Sequence, residues 1–283
     1  MKRSVILPLL SIFILVVLVS LGCKQDKGNV VEETDSATDS QNIEPKVTIE
    51  VGEWSPAFPG AKARFISLED GDVLDDNNVS VVVDVENYEL GIQTETPRAK
   101  EIANSAKGQH VHIILDNDPY FADYEAGVPF DIGVLDEGPH TLVVFPSRSY
   151  HESVKSIDSV PYDIVNFYVG KKEGEFMLDE SKPTVIYSRP KGKYEGKNAE
   201  KIMLDFYIIN IEPSDGYQVK YTIRKNEPIA VEHSITIKEW KPAFVTGLTS
   251  GEYIITLQLL DKDGNLVEGP FNNTQRAVTV VAK

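Results

Sequence analysis

From residue 46 onward the chain is a series of short runs with a two-residue period and turns between them. VTIEV, ARFISL, VSVVVDV, HVHIIL, FDIGVL, TLVVF and YDIVNFYV come first. TVIYS, KIMLDFYII, YQVKYTI, HSITIKEW, EYIITLQLLD and RAVTVVA follow. These runs are rich in β-branched and aromatic residues, and Pro, Gly, Asp and Asn separate them. No stretch of twelve residues carries a convincing helical apolar stripe. The best candidate for one or two helical turns is RAKEIANSAK, 98–107, inside an insertion running from Gly91 to Gly108. Strands at this spacing predict an all-β fold of packed sheets rather than parallel α/β units.

The runs also fall into two similar sets. VSVVVDVEN corresponds to IMLDFYIIN, QHVHIILDN to YQVKYTIRKN, and GVLDEGPHTLVV to TGLTSGEYIITL, in the same order and at similar spacing. Only the 91–108 insertion breaks the parallel. A set of this length and strand count resembles an immunoglobulin-like or fibronectin-type β-sandwich. The expected architecture is therefore two tandem sandwiches, 46–170 and 183–283, joined by a charged linker at 171–182.

The start of the chain has a different character. Lys2 and Arg3 precede an almost wholly apolar run, Val5 to Leu21, and LVSLGC then leads to Cys23. This is the pattern of a secretory signal peptide over residues 1–22. Ending at a cysteine, it resembles the lipobox of bacterial lipoproteins, with Ser20 where that family usually carries Leu. The resemblance implies cleavage before Cys23, lipid attachment at Cys23 and a place in the cell envelope, anchored to a bacterial membrane. Cys23 is the chain's single cysteine, so no disulfide, thiolate metal site or thiol nucleophile is available to the body. Residues 23–45, rich in Asp, Glu, Ser and Thr, bury too little apolar area to offset their ordering entropy and read as a disordered acidic tether.

Charge narrows the choice of partners. The chain carries 44 acidic against 28 basic residues, a net charge of −16. Such a surface does not suit nucleic acid or adhesion to anionic lipid. The expected partners are the membrane, through the lipid, and an envelope protein or glycan. No catalytic set is assembled in the sequence, which lacks both a G-x-S-x-G elbow and a phosphate-binding glycine loop. Ser147, Ser149, His151 and Glu152 lie too close together to suggest a hydrolytic triad. The chain thus reads as a binding or structural module rather than an enzyme.

One cluster stands out. Four of the five histidines lie between Gly108 and Ser153. His110 and His112 share one face of the HVHIIL strand, with imidazoles roughly 6–7 Å apart, a spacing that chelates Cu or Zn if a third ligand approaches. His151, with Glu152 beside it, is the candidate third ligand. The second set has Gln218 and Lys220 where the first has His110 and His112, which predicts a solvent-facing position for both histidines. His140 matches Tyr253 and is expected to point inward. Asp116-Asn117-Asp118 and Asp261-Lys262-Asp263-Gly264-Asn265 read as turns rather than calcium loops. The hexapeptide pattern EWxPAF occurs twice, at Glu53–Phe58 and Glu239–Phe244, in non-equivalent places.

Overall fold

The structure is a computed structural model that describes residues 46–156, 160–225 and 230–283. The signal peptide, Cys23 and the whole of the tether lie outside the described residues. The described residues are β-strands and turns, with three short 3₁₀ turns. The first is β1 (Thr48–Val51). The first half follows: β2 (Lys62–Phe65), β3 (Val73–Leu74), β4 (Asn78–Val81), β5 (Val83–Glu86), β6 (His110–Leu115), β7 (Phe121–Asp123), β8 (Phe130–Val134), β9 (Gly138–Ser147) and β10 (Asp163–Val169). The second half comprises β11 (Thr184–Arg189), β12 (Gly192–Glu195), β13 (Lys201–Ile209), β14 (Gln218–Lys225), β15 (Val231–Ile237), β16 (Ala243–Thr246), β17 (Gly251–Leu260) and β18 (Asn273–Val281).

The two halves share one topology, that of tandem immunoglobulin-like sandwiches. In the first, β3-β10-β9-β6-β7 form one sheet, with the β3–β10 pair parallel. In the second, β12-β18-β17-β14-β15 form its counterpart, with the β12–β18 pair parallel. The pairs β2–β5 and β4–β8 oppose the first of these sheets, and β11-β13-β16 oppose the second. Local signals repeat too. Asn87 and Asn210 both end their strands in the left-handed region, at φ 52°. The 91–108 insertion contains a single 3₁₀ turn, Pro97–Lys100.

Three of the expectations need correction. Strand β1 lies within the 46–170 span assigned to the first sandwich, yet it pairs with β16 and extends a sheet of the second half. This pairing brings the two EWxPAF segments side by side. Val51 lies opposite Ala243, and Gly52 N–H donates to Pro242 O at 2.8 Å. Second, the two sandwiches do not stand apart on a linker: among the described residues they pack against each other in one compact unit. Third, the 171–182 segment is no free spacer, because Leu178 is buried between the halves.

What joins the halves is an apolar layer between two sheets packed back to back. Ile114, Val143, Phe145 and Ile164 of the first half meet Ile186, Tyr207, Ile209 and Phe271 of the second. Phe145 stacks on Tyr207 with centroids 4.5 Å apart. Each such side chain, fully buried, contributes roughly 1.5–3 kcal/mol. The strands that face this layer are buried on both sides, β6 and β11 along their whole length. By contrast β14 and β17, in the outer sheet, alternate between buried and part-exposed.

Candidate metal centre

Strand β6 presents Val111, Ile113 and Leu115 to the core of the first sandwich. A period of two then sends His110, His112 and Ile114 to the other face. The second-half comparison predicts solvent there, and the structure corrects it: His110 and His112 are wholly buried at the junction. Their counterparts on β14 lie in the outer sheet, whereas β6 lies in a sheet that the second half covers. The register was legible; the environment of the face was not.

His151 joins them from the loop after β9. His110 Nε2 lies 3.1 Å from His112 Nε2 and 3.0 Å from His151 Nδ1. The three nitrogens lie within 4.8 Å of one another. Metal–nitrogen bonds of about 2.0–2.1 Å at a tetrahedral angle place two ligand nitrogens about 3.3 Å apart, close to the two short separations.

The surroundings aim these atoms. His110 Nδ1–H donates to Gly108 O at 2.9 Å, which leaves Nε2 as an inward lone pair. Gly108 has φ +90°, and a Cβ there would lie 2.4 Å from Ile92 O, so the position requires glycine. His112 Nδ1 contacts Ser188 Oγ of the second half at 3.3 Å. The ring of Tyr120 stacks on His112 with centroids 3.5 Å apart. His151 is half-buried and sits at φ +67°, a backbone region uncommon for residues with a Cβ.

The insertion holds the His151 loop in place. Thr94 and Ser149 exchange hydrogen bonds, Thr94 N to Ser149 Oγ at 3.1 Å and Ser149 N to Thr94 Oγ1 at 3.0 Å. Ser105 N donates to Ser149 O at 2.8 Å. Arg98 reaches Glu152 at 2.7 Å. The second half lacks the insertion, the H-x-H pair and the loop histidine alike, and in the first half the three converge.

All three imidazoles are held neutral. Burial pushes His110 down to about 4, opposed by its bond to Gly108 and aided by Arg189 and Lys191. Burial likewise holds His112 and His151 well below the usual histidine range. Neutral imidazole is the ligating form. The nearby cations, Arg189 and Lys191, come from the second half. Arg189 Nη1 donates to Tyr120 Oη at 3.0 Å, and Lys191 Nζ donates to Tyr120 O at 2.5 Å. Ser188, Arg189 and Lys191 carry no sequence signal, since only the packing of the halves brings them here.

The remaining candidates lie elsewhere or are engaged. Glu152 is bound by Arg98 and accepts from Ser55 Oγ at 2.8 Å, so it does not complete the site. His140 is buried on the inward face as expected. Its nitrogens are tied to Asp116 Oδ2 at 2.6 Å and Asp136 O at 2.9 Å. Asp116 also accepts from Thr141 N on β9 while Asp118 N donates to Leu115 O at 2.7 Å in the turn, and Asp261 accepts from the backbone of Asp263 and Asn265, so both loops are turns whose carboxylates are engaged.

No protein-family model matches the sequence, and no curated protein matches it. Among solved structures it resembles the fibronectin(III)-like modules of Clostridium thermocellum CbhA at 15% identity, over 78% of this chain and 94% of that one, with a TM-score of 0.25. It also resembles a Bacteroides ovatus SGBP-B from a mixed-linkage glucan utilization locus, in complex with a heptasaccharide. There the identity is 15%, over 77% of this chain and 47% of that one, with a TM-score of 0.21. Likenesses this weak define no family and assign no ligand.

Proposed function

We propose that this protein binds one transition-metal ion, copper or zinc, through His110 Nε2, His112 Nε2 and His151 Nδ1. The observation that carries this reading is the convergence of three neutral imidazole nitrogens on one point, 3.0 and 3.1 Å apart at the short edges. With His110 Nε2 a lone pair, a cation at the focus satisfies all three nitrogens at once; the alternative is hydrogens shared among the imidazoles and with Tyr120 Oη, 3.3 Å from His151 Nδ1. In this reading the chain is a lipoprotein that holds the metal in the cell envelope, attached through Cys23 and spaced from the membrane by residues 23–45. Imidazole suits copper and zinc alike. The test is calorimetric titration of the Cys23→Ser protein with Cu²⁺ and Zn²⁺ beside a His110→Ala/His112→Ala variant. Saturation at one ion per chain, lost in the variant, is the expected result; equal behaviour of the two proteins would refute the site.

A second reading rests on a separate observation. A surface cleft of about 560 Å³ opens between β1 and the insertion, lined by Trp54, Arg98, Glu101, Lys201 and Phe244. Trp54 is 44% exposed there. An exposed indole beside polar side chains suits a glycan or peptide of the envelope. This reading makes the chain a non-enzymatic binding module. Capture of envelope material by the Cys23→Ser protein, but not by its Trp54→Ala form, is the expected outcome.

A further inference from the structure

Resting on the metal-binding reading above, we propose that the ion this site is built to hold is monovalent copper, Cu(I), in preference to Zn²⁺ or Cu²⁺. The donor type does not separate these ions, but the charge around the donors does. All three ligands are neutral, so the ligand set itself carries no negative charge to offset that of the ion. Arg189 and Lys191, both positive, act on all three imidazoles, while the one carboxylate beside the ligands in sequence, Glu152, is engaged by Arg98 and Arg148. Lys191 Nζ sits 3.8 Å from the centroid of the Tyr120 ring that stacks on His112. Repulsion from these two cations is twice as large for a divalent ion as for a monovalent one.

Burial multiplies the difference. His110 and His112 are fully excluded from solvent, and Tyr120, Tyr124 and Phe145 lie against them with ring centroids 3.5 to 5.6 Å away. The cost of bringing an ion into so apolar a setting rises with the square of its charge, about fourfold between a monovalent and a divalent ion. Zinc at a three-histidine site needs a water or other ligand in its fourth position, which a site with His110 and His112 fully excluded from solvent is poorly placed to admit, and Cu²⁺ prefers a tetragonal set. Cu(I) is content with three nitrogens. Tyr120 does not supply the missing anionic ligand: its hydroxyl accepts from Arg189 Nη1 at 3.0 Å.

The experiment is anaerobic competition for Cu(I) against a chromophoric chelator, bicinchoninate, with Zn²⁺ and Cu²⁺ titrated separately. Cys23→Ser protein is used because a free thiol would itself take Cu(I). The expected result is one Cu(I) per chain, bound ~10³-fold or more tightly than Zn²⁺ at pH 7, the direction set by the charge-squared cost. That binding is lost in His112→Ala and in His151→Gln, the latter at a half-buried loop position where misfolding is less of a concern. Zn²⁺ or Cu²⁺ binding as tightly as Cu(I) would overturn the assignment while leaving the three-histidine site standing. Failure of all three ions to bind would remove the site itself. Lys191→Met tests the charge argument directly. It should raise Cu(I) affinity by some factor and Zn²⁺ affinity by about the square of that factor; an equal gain for both ions would overturn it.

Discussion

Arg98 and the buried Glu152 form a partly buried ion pair, Nη1 to Oε2 2.7 Å, which ties the insertion to the loop that carries His151. The same Arg98 donates to Ser55 Oγ at 2.6 Å and to Glu53 O at 2.8 Å, so one guanidinium gathers the segment after β1, the insertion and the histidine loop. Arg98→Ala leaves Glu152 buried with Arg148 at 3.8 Å as its remaining cation. The expected cost is ~3 kcal/mol in urea denaturation. The Arg98→Met/Glu152→Gln double variant should recover part of that loss, and metal affinity should fall in Arg98→Ala because His151 loses its brace. Unchanged stability would mean the pair is dispensable.

Stability of the metal-free protein should depend on pH through the buried histidines. Their folded values lie below the ordinary 6.5, so below that pH the unfolded chain binds protons that the folded chain does not. Stability is therefore fully present above about 6.5 and is lost as the pH falls toward the folded values, about 4 for His110. Each of the three contributes a slope of about 1.4 kcal/mol per pH unit in that window. Urea denaturation between pH 7.5 and 5 reads the slope. His112→Phe should reduce it by about one proton, and a flat profile would contradict burial of the imidazoles.

Gly108→Ala should be costly out of proportion to its size. The residue sits at φ +90°, and the added methyl would lie 2.4 Å from the Ile92 carbonyl oxygen. A loss of at least ~2 kcal/mol is expected from backbone strain and the clash together. Because the Gly108 carbonyl orients His110, metal affinity should drop as well; Gly127→Ala, with open space around it and φ +73°, is the control for strain without the clash.

The two halves should unfold as one. Lys155 of the first half and Asp205 of the second form a buried ion pair, and Asp205 Oδ2 also accepts from Ser153 N at 3.0 Å. Asp205→Asn is expected to cost about 3–5 kcal/mol, because it strands a buried ammonium. Circular dichroism and the fluorescence of Trp54 and Trp240 should report a single coincident transition in the unaltered protein. Two separate transitions would mean that the apolar junction does not couple the sandwiches.

The sequence by itself determined the strand pattern, the repeat of one topology and the pairing of His110 with His112 on one strand face. All of these follow from local periodicity and turn chemistry. Part of the junction was also legible in principle. HVHIIL and KIMLDFYII hold apolar residues on both faces, as strands covered on both sides do, whereas YQVKYTIRK alternates as a half-solvated strand does. Only the tertiary structure decided which sheet of each sandwich is covered, and with it whether the histidines meet water or protein. It alone brought His151 to His110 across 41 residues and set Ser188, Arg189 and Lys191 against them. Strand β1 joined the distant half for the same reason. Pairing between segments far apart in the chain is selected by burial of whole faces, a property of the assembled layers that no local period encodes.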